Sequence, residues 1–362
     1  MTKLPPGFSH ELPQHLRDHC PKVDEQLGVP VLDFNKFCCG AHGFSALIKT
    51  EIDGEPSHLT LFDTGPDSTS LVRNISAMHI PVEQIERVIT SHWHSDHTGG
   101  LLSFLSYRNE VVNQLNNQRQ QSGESSESST STTPTTAIPQ VVIDVHPDRP
   151  EARGIAPGPN FNKVICAIPV DPKFDEIEGL GGVLEKRKEG HSVASGMVWV
   201  SGEIPRVTEW EEGILGGMRW VVGEENGNGR WVNEPHIMDE RYAAIDVAGK
   251  GLIIFSACSH AGIVNVIKDA VNRFSRPVYM VVGGLHLAGP EFGPRIPLTV
   301  DFLSTQLRPC PTYVLPMHCS GFRSKAALEN AFGEGCVPAG VGLKVEIIGD
   351  RTLDERLPPS SY

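Results

Sequence analysis

The amino-acid sequence predicts a layered α/β protein in which helices cover the faces of β-sheets. Short apolar runs of strand character recur along the 362-residue chain, and stretches with helical periodicity lie between them. Strands and helices that alternate in this way pack as layers around a shared core. With 39% apolar and 21% charged residues, the composition is that of an ordinary globular protein.

The predicted elements follow this pattern in chain order. The apolar runs at 44–52 (FSALIKTEI) and 59–65 (LTLFDTG) predict a hairpin pair. Further strands are predicted at 85–92, 140–147, 196–204, 241–249, 251–260, 277–284 and 312–318. Helices are predicted at 67–79, 99–112, 261–274, 297–307 and 324–332. The stretch 160–240 is glycine-rich and less periodic, so we expect mainly solvated connections there.

One segment interrupts the alternation of strands and helices. Residues 113–139 contain almost no apolar side chains and are rich in Gln, Ser and Thr. Such a segment cannot bury enough surface to offset the entropy lost on ordering. Because a strand pattern resumes directly after it, we predict a disordered surface insertion within one domain.

Charge and composition exclude several classes of partner. The formal net charge of −13 disfavours nucleic acid, since binding a phosphate backbone needs a basic face. The N-terminal residues lack the apolar core of a signal peptide, and no run approaches the roughly 18 apolar residues of a membrane span. We therefore expect a cytoplasmic protein that acts on a small molecule. The 8 cysteines form no CxxC pair, which argues against a disulfide scaffold or a structural zinc ribbon.

The segment TSHWHSDHTGG, residues 90–100, concentrates histidines at the end of a predicted strand. His92 and His94 are two residues apart, so at a strand end both imidazoles face the same side and can converge on one ion. Asp96 and His97 follow in a turn and can face a neighbouring site. Imidazole and carboxylate donors without a thiolate quartet suit a catalytic Zn²⁺, with Mn or Fe as alternatives. The segment therefore predicts parts of two metal sites.

Other predicted strands also end in polar residues that can complete these sites. His260 and His318 are the expected further ligands. Cys258 is either a ligand or a small buried thiol, and His286 either binds metal or holds substrate. Asp63, in LFDTG, is expected to orient a metal-bound histidine from behind.

The HxHxDH motif after a strand, with LFDTG upstream and strand-end histidines downstream, resembles the metallo-β-lactamase superfamily. The segments GAHGFSAL, VSGEIPRVTEWE, ACSHAGIVN, VVGGLHL and LPMHCSGF are similar to one branch, related to archaeal dihydropterin ribofuranosylaminobenzene phosphate synthases. The resemblance implies a four-layer αββα sandwich with a two-metal site at one edge. It runs over about 37–348, which leaves an N-terminal extension at 1–36 and a C-terminal tail at 349–362.

The resemblance also implies roles for individual residues. His92, His94, Asp96 and His97 match the metal-binding core motif, and His318 matches the late histidine. Other members of the superfamily carry a bridging aspartate in the segment that here holds Cys258 and His260, so one of these must replace it or one metal is held weakly. The alternative third histidine is His236, the plausible substrate-pocket residues are Glu203 and Arg206, and Ala41 stands where the branch has an acidic residue.

Two divalent metal ions with open positions predict a metal-dependent hydrolase. Such ions lower the pKa of bound water to roughly 7 and polarise a carbonyl or phosphoryl oxygen. The substrate bond would be an ester, thioester, lactone or phosphoester of a small molecule. Asp96 would orient the nucleophile or accept its proton, and His286 or His260 would protonate the leaving group.

Two other functions remain open at this point. The resemblance implies, as one alternative, a transferase that condenses a dihydropterin diphosphate with an aromatic amine and releases pyrophosphate. The other alternative is a non-enzymatic protein in which the metal only supports binding of a partner.

Overall fold

The computed structural model describes residues 4–10, 23, 25–26, 28–29, 37–121, 138–223 and 228–362. The strands in this part of the chain are β1 (Phe8–His10), β2 (Ala46–Thr50), β3 (His58–Phe62), β4 (Ile85–Ile89), β5 (Val142–Val145), β6 (Arg153–Ile155), β7 (Cys166–Ala167), β8 (Val183–Lys186), β9 (His191–Val193), β10 (Val198–Val200), β11 (Gly217–Val222), β12 (Gly229–Asn233), β13 (Ala243–Val247), β14 (Gly251–Ser256), β15 (Val278–Gly284), β16 (Tyr313–Met317) and β17 (Leu343–Val345).

The α-helices are α1 (Ser70–Ala77), α2 (Ser95–Thr98), α3 (Leu101–Gln121), α4 (Phe174–Gly179), α5 (Ile263–Phe274), α6 (Arg295–Asp301), α7 (Phe322–Phe332) and α8 (Arg351–Asp354). Helix α6 continues as a π-helical turn over Phe302–Gln306, and short 3₁₀ turns occur at Val82–Gln84, His318–Ser320 and Gly333–Gly335. No helix in the described part of the chain combines the length and apolar character needed to cross a membrane.

Two large sheets form the centre of the molecule. One has five strands in the order β2-β3-β4-β5-β8, and the other has six in the order β16-β15-β14-β13-β10-β9. The β2–β3 pair is antiparallel, which confirms the predicted hairpin pair, and β3, β4, β5 and β8 run parallel. In the second sheet β14, β15 and β16 run parallel. The parallel strands of each sheet therefore end together at one edge.

The alternation of apolar residues along the strands produces the layers. In β14, Ile253 packs between the two sheets, whereas Leu252 and Ile254 pack against the helices on the outer face. Successive side chains of a strand point to opposite faces, so a continuous apolar run is buried on both sides. Helices α5 and α6 cover the six-stranded sheet, and α1, α3 and α4 cover the five-stranded sheet. The result is the predicted αββα sandwich.

Two smaller sheets lie beside this sandwich. Strands β12-β11-β6-β7 form a four-stranded sheet, and β1 pairs with β17. The second pairing joins the predicted N-terminal extension to the last strand, through Phe8 and Val345.

The stretch 160–240 is more ordered than its composition predicts. It contains β7, α4, β8, β9, β11 and β12 in addition to the predicted strand at β10. Its glycines partly reflect close packing: a Cβ on Gly182 would lie 2.8 Å from Ile177 Cγ2 and 2.9 Å from Ile143 Cγ1. Connections still make up most of this stretch, as expected, but the composition did not reveal these strands and this helix.

Helix α3 is longer than predicted. It begins at Leu101 and ends at Gln121, so residues 113–121 are helical, and the predicted start of the disordered insertion is wrong. Gln and Arg are good helix formers, and this end of the helix needs no apolar face because it is largely exposed. Residues 122–137 of the predicted insertion lie outside the described residues.

Candidate metal centre

Loops at the carboxyl ends of the parallel strands bring the candidate ligands together. His92 and His94 follow β4, Cys258 and His260 follow β14, and His318 follows β16. Helix α2 begins directly after His94 and carries Asp96 and His97. Because β4 belongs to one large sheet and β14 and β16 to the other, the site lies where the edges of the two sheets meet.

His92, His94 and His260 form the first cluster of donor atoms. His92 Nε2 lies 3.0 Å from His94 Nδ1 and 3.1 Å from His260 Nε2, and the third separation, His260 Nε2 to His94 Nδ1, is 3.2 Å. Zinc–nitrogen bonds of 2.0–2.1 Å in tetrahedral geometry place ligand nitrogens about 3.3 Å apart. The three imidazoles thus fit one face of such a coordination shell.

Asp96, His97, Cys258 and His318 form the second cluster. Cys258 Sγ lies 3.1 Å from His97 Nε2 and 3.2 Å from His318 Nε2. Asp96 Oδ2 lies 3.3 Å from His318 Nε2 and 3.7 Å from His97 Nε2. The donor set of two imidazoles, a thiol and a carboxylate suits a divalent first-row metal.

A hydrogen-bonded chain behind the clusters fixes the orientation of two imidazoles. His97 Nδ1 donates to Asp63 Oδ2 at 2.7 Å, which leaves the Nε2 lone pair facing the second cluster. Ser91 Oγ donates its single proton to the same Asp63 oxygen, also at 2.7 Å. The hydroxyl must therefore accept a proton from His92 Nδ1, 2.8 Å away, and the Nε2 lone pair of His92 faces the first cluster. Buried carboxylates commonly orient metal-bound histidines in this way.

The two clusters differ in how their surroundings shift the pKa values of the histidines. Burial lowers the pKa of His92, His94 and His260, that of His94 to about 3, so the first cluster consists of neutral imidazoles. Burial opposes a charge on His97 as well, but Asp63 and Asp96 outweigh it and raise the His97 pKa to about 9. The negative charges that stabilise a proton there would also stabilise a metal ion.

Comparisons with known proteins agree with this arrangement. Residues 44–112 match the family model for the metallo-β-lactamase superfamily. The chain is 29% identical over 306 residues to 7,8-dihydropterin-6-methyl-4-(β-D-ribofuranosyl)-aminobenzene-5′-phosphate synthase of Methanocaldococcus jannaschii, covering 81% of this chain and 85% of that protein. It is 26% identical over 306 residues to the uncharacterised protein MJ0448 of the same organism, covering 83% and 93%. The crystal structure of Tm1679, a metal-dependent hydrolase of the β-lactamase superfamily, superimposes with a TM-score of 0.57 at 19% identity, covering 86% of this chain and 94% of that chain.

The chain has the metallo-β-lactamase fold, and its residues 44–112 match the model of that superfamily. In this chain, His260 and not His236 lies in the cluster of three imidazoles, and Cys258 lies with the second cluster. His236 lies instead in the wall of a separate cavity of about 440 Å³.

The predicted substrate-contacting residues lie at different distances from the clusters. The ring centroid of His286 is 4.5 Å from that of His260, and burial lowers the pKa of His286 to about 4. Arg206 lines the cavity that also contains His236 and lies within electrostatic reach of Glu240, whose carboxylate accepts from the backbone N–H of His260. Glu203 is exposed and does not line this cavity.

Two further residues lie at the second cluster: His42, which sequence reasoning missed, and Cys319, which the sequence places beside His318 at the end of an apolar strand. His42 Nε2 lies 3.6 Å from Asp96 Oδ2, and the imidazole, 76% exposed, packs 4.7 Å from the ring of His318. Cys319 Sγ lies 3.5 Å from Cys258 Sγ. Their positions in GAHGFS and MHCSG, beside predicted site residues, were the available signal.

Buried charges support the loop that carries the HxHxDH motif. Arg153 Nη1 donates to the carbonyl of Trp93 at 2.6 Å, and Asp239 Oδ2 accepts from the Trp93 N–H at 2.7 Å. Arg153 also pairs with Asp239 at 2.6 Å and with Glu234 at 2.8 Å. Earlier in the same loop, the Thr90 carbonyl accepts a hydrogen bond from Arg241 Nη2 at 2.6 Å. The backbone that presents His92 and His94 is thus tied to two buried guanidinium groups.

Proposed function

We propose that this protein is an enzyme that uses two adjacent divalent metal ions to break an ester, thioester, lactone or phosphoester bond of a small molecule. The observation that carries the proposal is the pair of donor clusters, whose members His92 and His97 have ring centroids only 4.4 Å apart. We assign His92, His94 and His260 to one ion, and Asp96, His97, Cys258 and His318 to the other. Zinc suits this mixture of imidazole, carboxylate and thiolate donors best, with manganese or iron as alternatives.

Bound ions of this kind would activate water at neutral pH and polarise the substrate oxygen. The protein's own residues prepare for this chemistry. Asp63 and Ser91 hold His97 and His92 in the required tautomers. Asp96 faces three imidazoles, and we assign it to binding in place of the base role that the sequence alone suggested.

We propose His286 as the group that moves a proton to or from the substrate. Its imidazole lies beside His260, and its lowered pKa keeps it neutral near pH 7. His260 is less suited to this role, because its Nε2 already faces His92 and His94. Arg206, which lies within electrostatic reach of Glu240 and lines the cavity described above, is a candidate for binding an anionic part of the substrate.

A transferase reaction is the second candidate. The relative of known activity that is 29% identical to this chain is a synthase, and the match covers 81% of the chain. In that reaction class the same centre would stabilise a departing pyrophosphate while the amine attacks.

Metal analysis and a substrate panel test the proposal. The purified protein should contain close to two ions per chain, and it should hydrolyse at least one ester, thioester, lactone or phosphoester. Chelation should abolish turnover and metal should restore it; unchanged turnover after stripping would reject the mechanism. Pyrophosphate release that requires both a pterin diphosphate and an aromatic amine would instead favour the transferase.

A further inference from the structure

A second group of reactive side chains lies at the opposite end of β3 from the metal centre. Ser195 Oγ is 2.8 Å from His58 Nε2, and His58 Nδ1 contacts the Glu86 carboxylate. Ser195 belongs to the turn between β9 and β10, whereas His58 and Glu86 lie on the neighbouring parallel strands β3 and β4. The group therefore joins the starting ends of two strands in one large sheet to a hairpin of the other.

The order of contacts gives each side chain a defined role. An ionised carboxylate only accepts hydrogen bonds, so Glu86 holds the proton of His58 on Nδ1. The Nε2 lone pair is then free to accept the proton of the Ser195 hydroxyl. This is the relation between carboxylate, imidazole and nucleophile that activates serine in acyl-transfer enzymes.

The turn presents Ser195 outward in an uncommon backbone conformation. Ala194 and Ser195 have φ values of 52° and 53°, a region that residues with a side chain seldom adopt. Ser195 is exposed, so a substrate can reach its hydroxyl. Among the described residues, no acceptor contacts the backbone N–H of Ser195, which leaves it available to a developing oxyanion. Efficient acyl transfer uses more than one such donor, so we expect slow reaction.

We propose that Ser195, His58 and Glu86 form a second, metal-independent site that accepts acyl groups from small activated esters. Ser195 Oγ attacks the ester carbon, the new Oγ–C bond forms, and the bond to the leaving alkoxide breaks. His58 Nε2 takes the hydroxyl proton and passes it to the alkoxide, and water later releases the acyl group as an acid.

This site is separate from the metal centre. His58 begins β3, whereas Asp63, which contacts His97, follows its end. Five strand residues at about 3.3 Å each place the two sites roughly 16 Å apart along the strand. Chelation should therefore leave the second site intact, which makes its failure distinguishable from failure of the proposed metal-dependent reaction.

A fluorophosphonate probe tests the proposal, because its phosphorus is attacked by an activated serine with loss of fluoride. Peptide mass spectrometry after labelling should locate the adduct on Ser195, with and without prior treatment with a chelator. Ser195→Ala should abolish labelling, and His58→Ala should slow it by roughly 10²- to 10⁴-fold. Glu86→Gln should slow it as well, because the amide no longer fixes the tautomer. Ser192→Ala, an exposed serine of the same hairpin, should label at the wild-type rate.

Acetyl transfer from p-nitrophenyl acetate should follow the same pattern as probe labelling. Labelling of other serines only, or of Ser195 at an equal rate in His58→Ala, would overturn the proposal. The proposal would also be overturned if the wild type were not labelled and Ser195→Ala had a lower melting temperature than the wild type. The contact would then serve only to tie the hairpin to β3.

Discussion

The Ser91 hydroxyl links the two donor clusters through one oxygen atom. It donates to Asp63, which holds His97, and it accepts from His92. A change at Asp63 therefore acts on one imidazole of each cluster. Because each tautomer is fixed by one hydrogen bond, replacements that keep the shape but change the charge are informative.

We expect Asp63→Asn to lower metal affinity by roughly 10- to 100-fold. The amide can present its N–H₂ toward His97 Nδ1 and favour the tautomer whose Nε2 carries the proton. Titration with a competing chelator measures the affinity. Asp67→Asn is the control, since the donors to Asp67 among the described residues are Thr69 and Ser70, at the start of α1. Equal affinities in Asp63→Asn and wild type would contradict this role.

Cys258 should leave a spectroscopic signature that tests its role as a ligand. Cobalt(II)-substituted protein should show a thiolate-to-cobalt charge-transfer band in the near ultraviolet. Cys258→Asp should lose that band but still bind two ions, because a carboxylate replaces the thiolate, whereas Cys258→Ala should bind the second ion weakly. Cys319→Ala should keep the band. A band that disappears in Cys319→Ala and survives in Cys258→Asp would reverse the assignment.

At the scale of elements, the loop after β4 depends on charges that its own sequence does not contain. Arg153 on β6 and Asp239 in a later loop hold the backbone around Trp93. Both groups are buried, so removing Arg153 leaves the Asp239 carboxylate without its guanidinium partner. Breaking a buried pair in this way is more costly than replacing it entirely.

Arg153→Met should therefore lower the free energy of unfolding of the metal-free protein by about 3–5 kcal/mol. Urea denaturation measures this quantity. The double variant Arg153→Met with Asp239→Asn should recover part of the loss, since less charge stays unpaired. Arg187→Met, which removes an exposed pair with Glu185, should have no measurable effect. A loss in Arg153→Met no larger than in Arg187→Met would contradict the argument.

The sequence predicted elements and site residues where the relevant signal is local. The HxHxDH donors lie close together at one strand end. His260 and His318 could be predicted because each stands at the end of an apolar run, at 251–260 and 312–318. His42 carries no such signal, because it precedes its strand and reaches the site only through the packing of loops. The same holds for Ser195, His58 and Glu86, which come from three separate strands or turns. Edge strand β8 was missed because its flanking glycines look like a loop.

At the scale of the whole molecule, buried carboxyl groups make the stability of the folded state depend on pH. Glu211 accepts from the backbone N–H groups of Val264 and Asn265 at the start of α5. Burial, which outweighs these hydrogen bonds, raises the pKa of Glu211 to about 7. In the unfolded chain this group titrates near 4.3, so the folded state binds the proton more tightly. The stability contributed by Glu211 is thus complete below about pH 4 and is lost as the pH rises through 7.

Glu211→Gln should remove this pH dependence. Relative to wild type, the variant should gain unfolding free energy as the pH rises from 5 to 8, by on the order of 2–3 kcal/mol. The comparison between the two proteins cancels the histidines, whose lowered pKa values act in the opposite direction. Denaturant titrations at both pH values measure the difference. A difference that stays constant between pH 5 and pH 8 would refute the raised pKa.

The candidate ligands come from both large sheets, and His92 and His260 are 168 residues apart in the chain. Neither donor cluster is complete until the two sheets have packed face to face, so binding of the proposed ions would be a late event in the maturation of each molecule. Interactions formed after the rate-limiting step slow unfolding and leave the folding rate unchanged. Stopped-flow experiments should find that Zn²⁺ delays unfolding in urea but does not hasten refolding. The ions would then hold the two packed sheets together, and depriving a cell of metal would yield folded protein that lacks the metal-dependent activity.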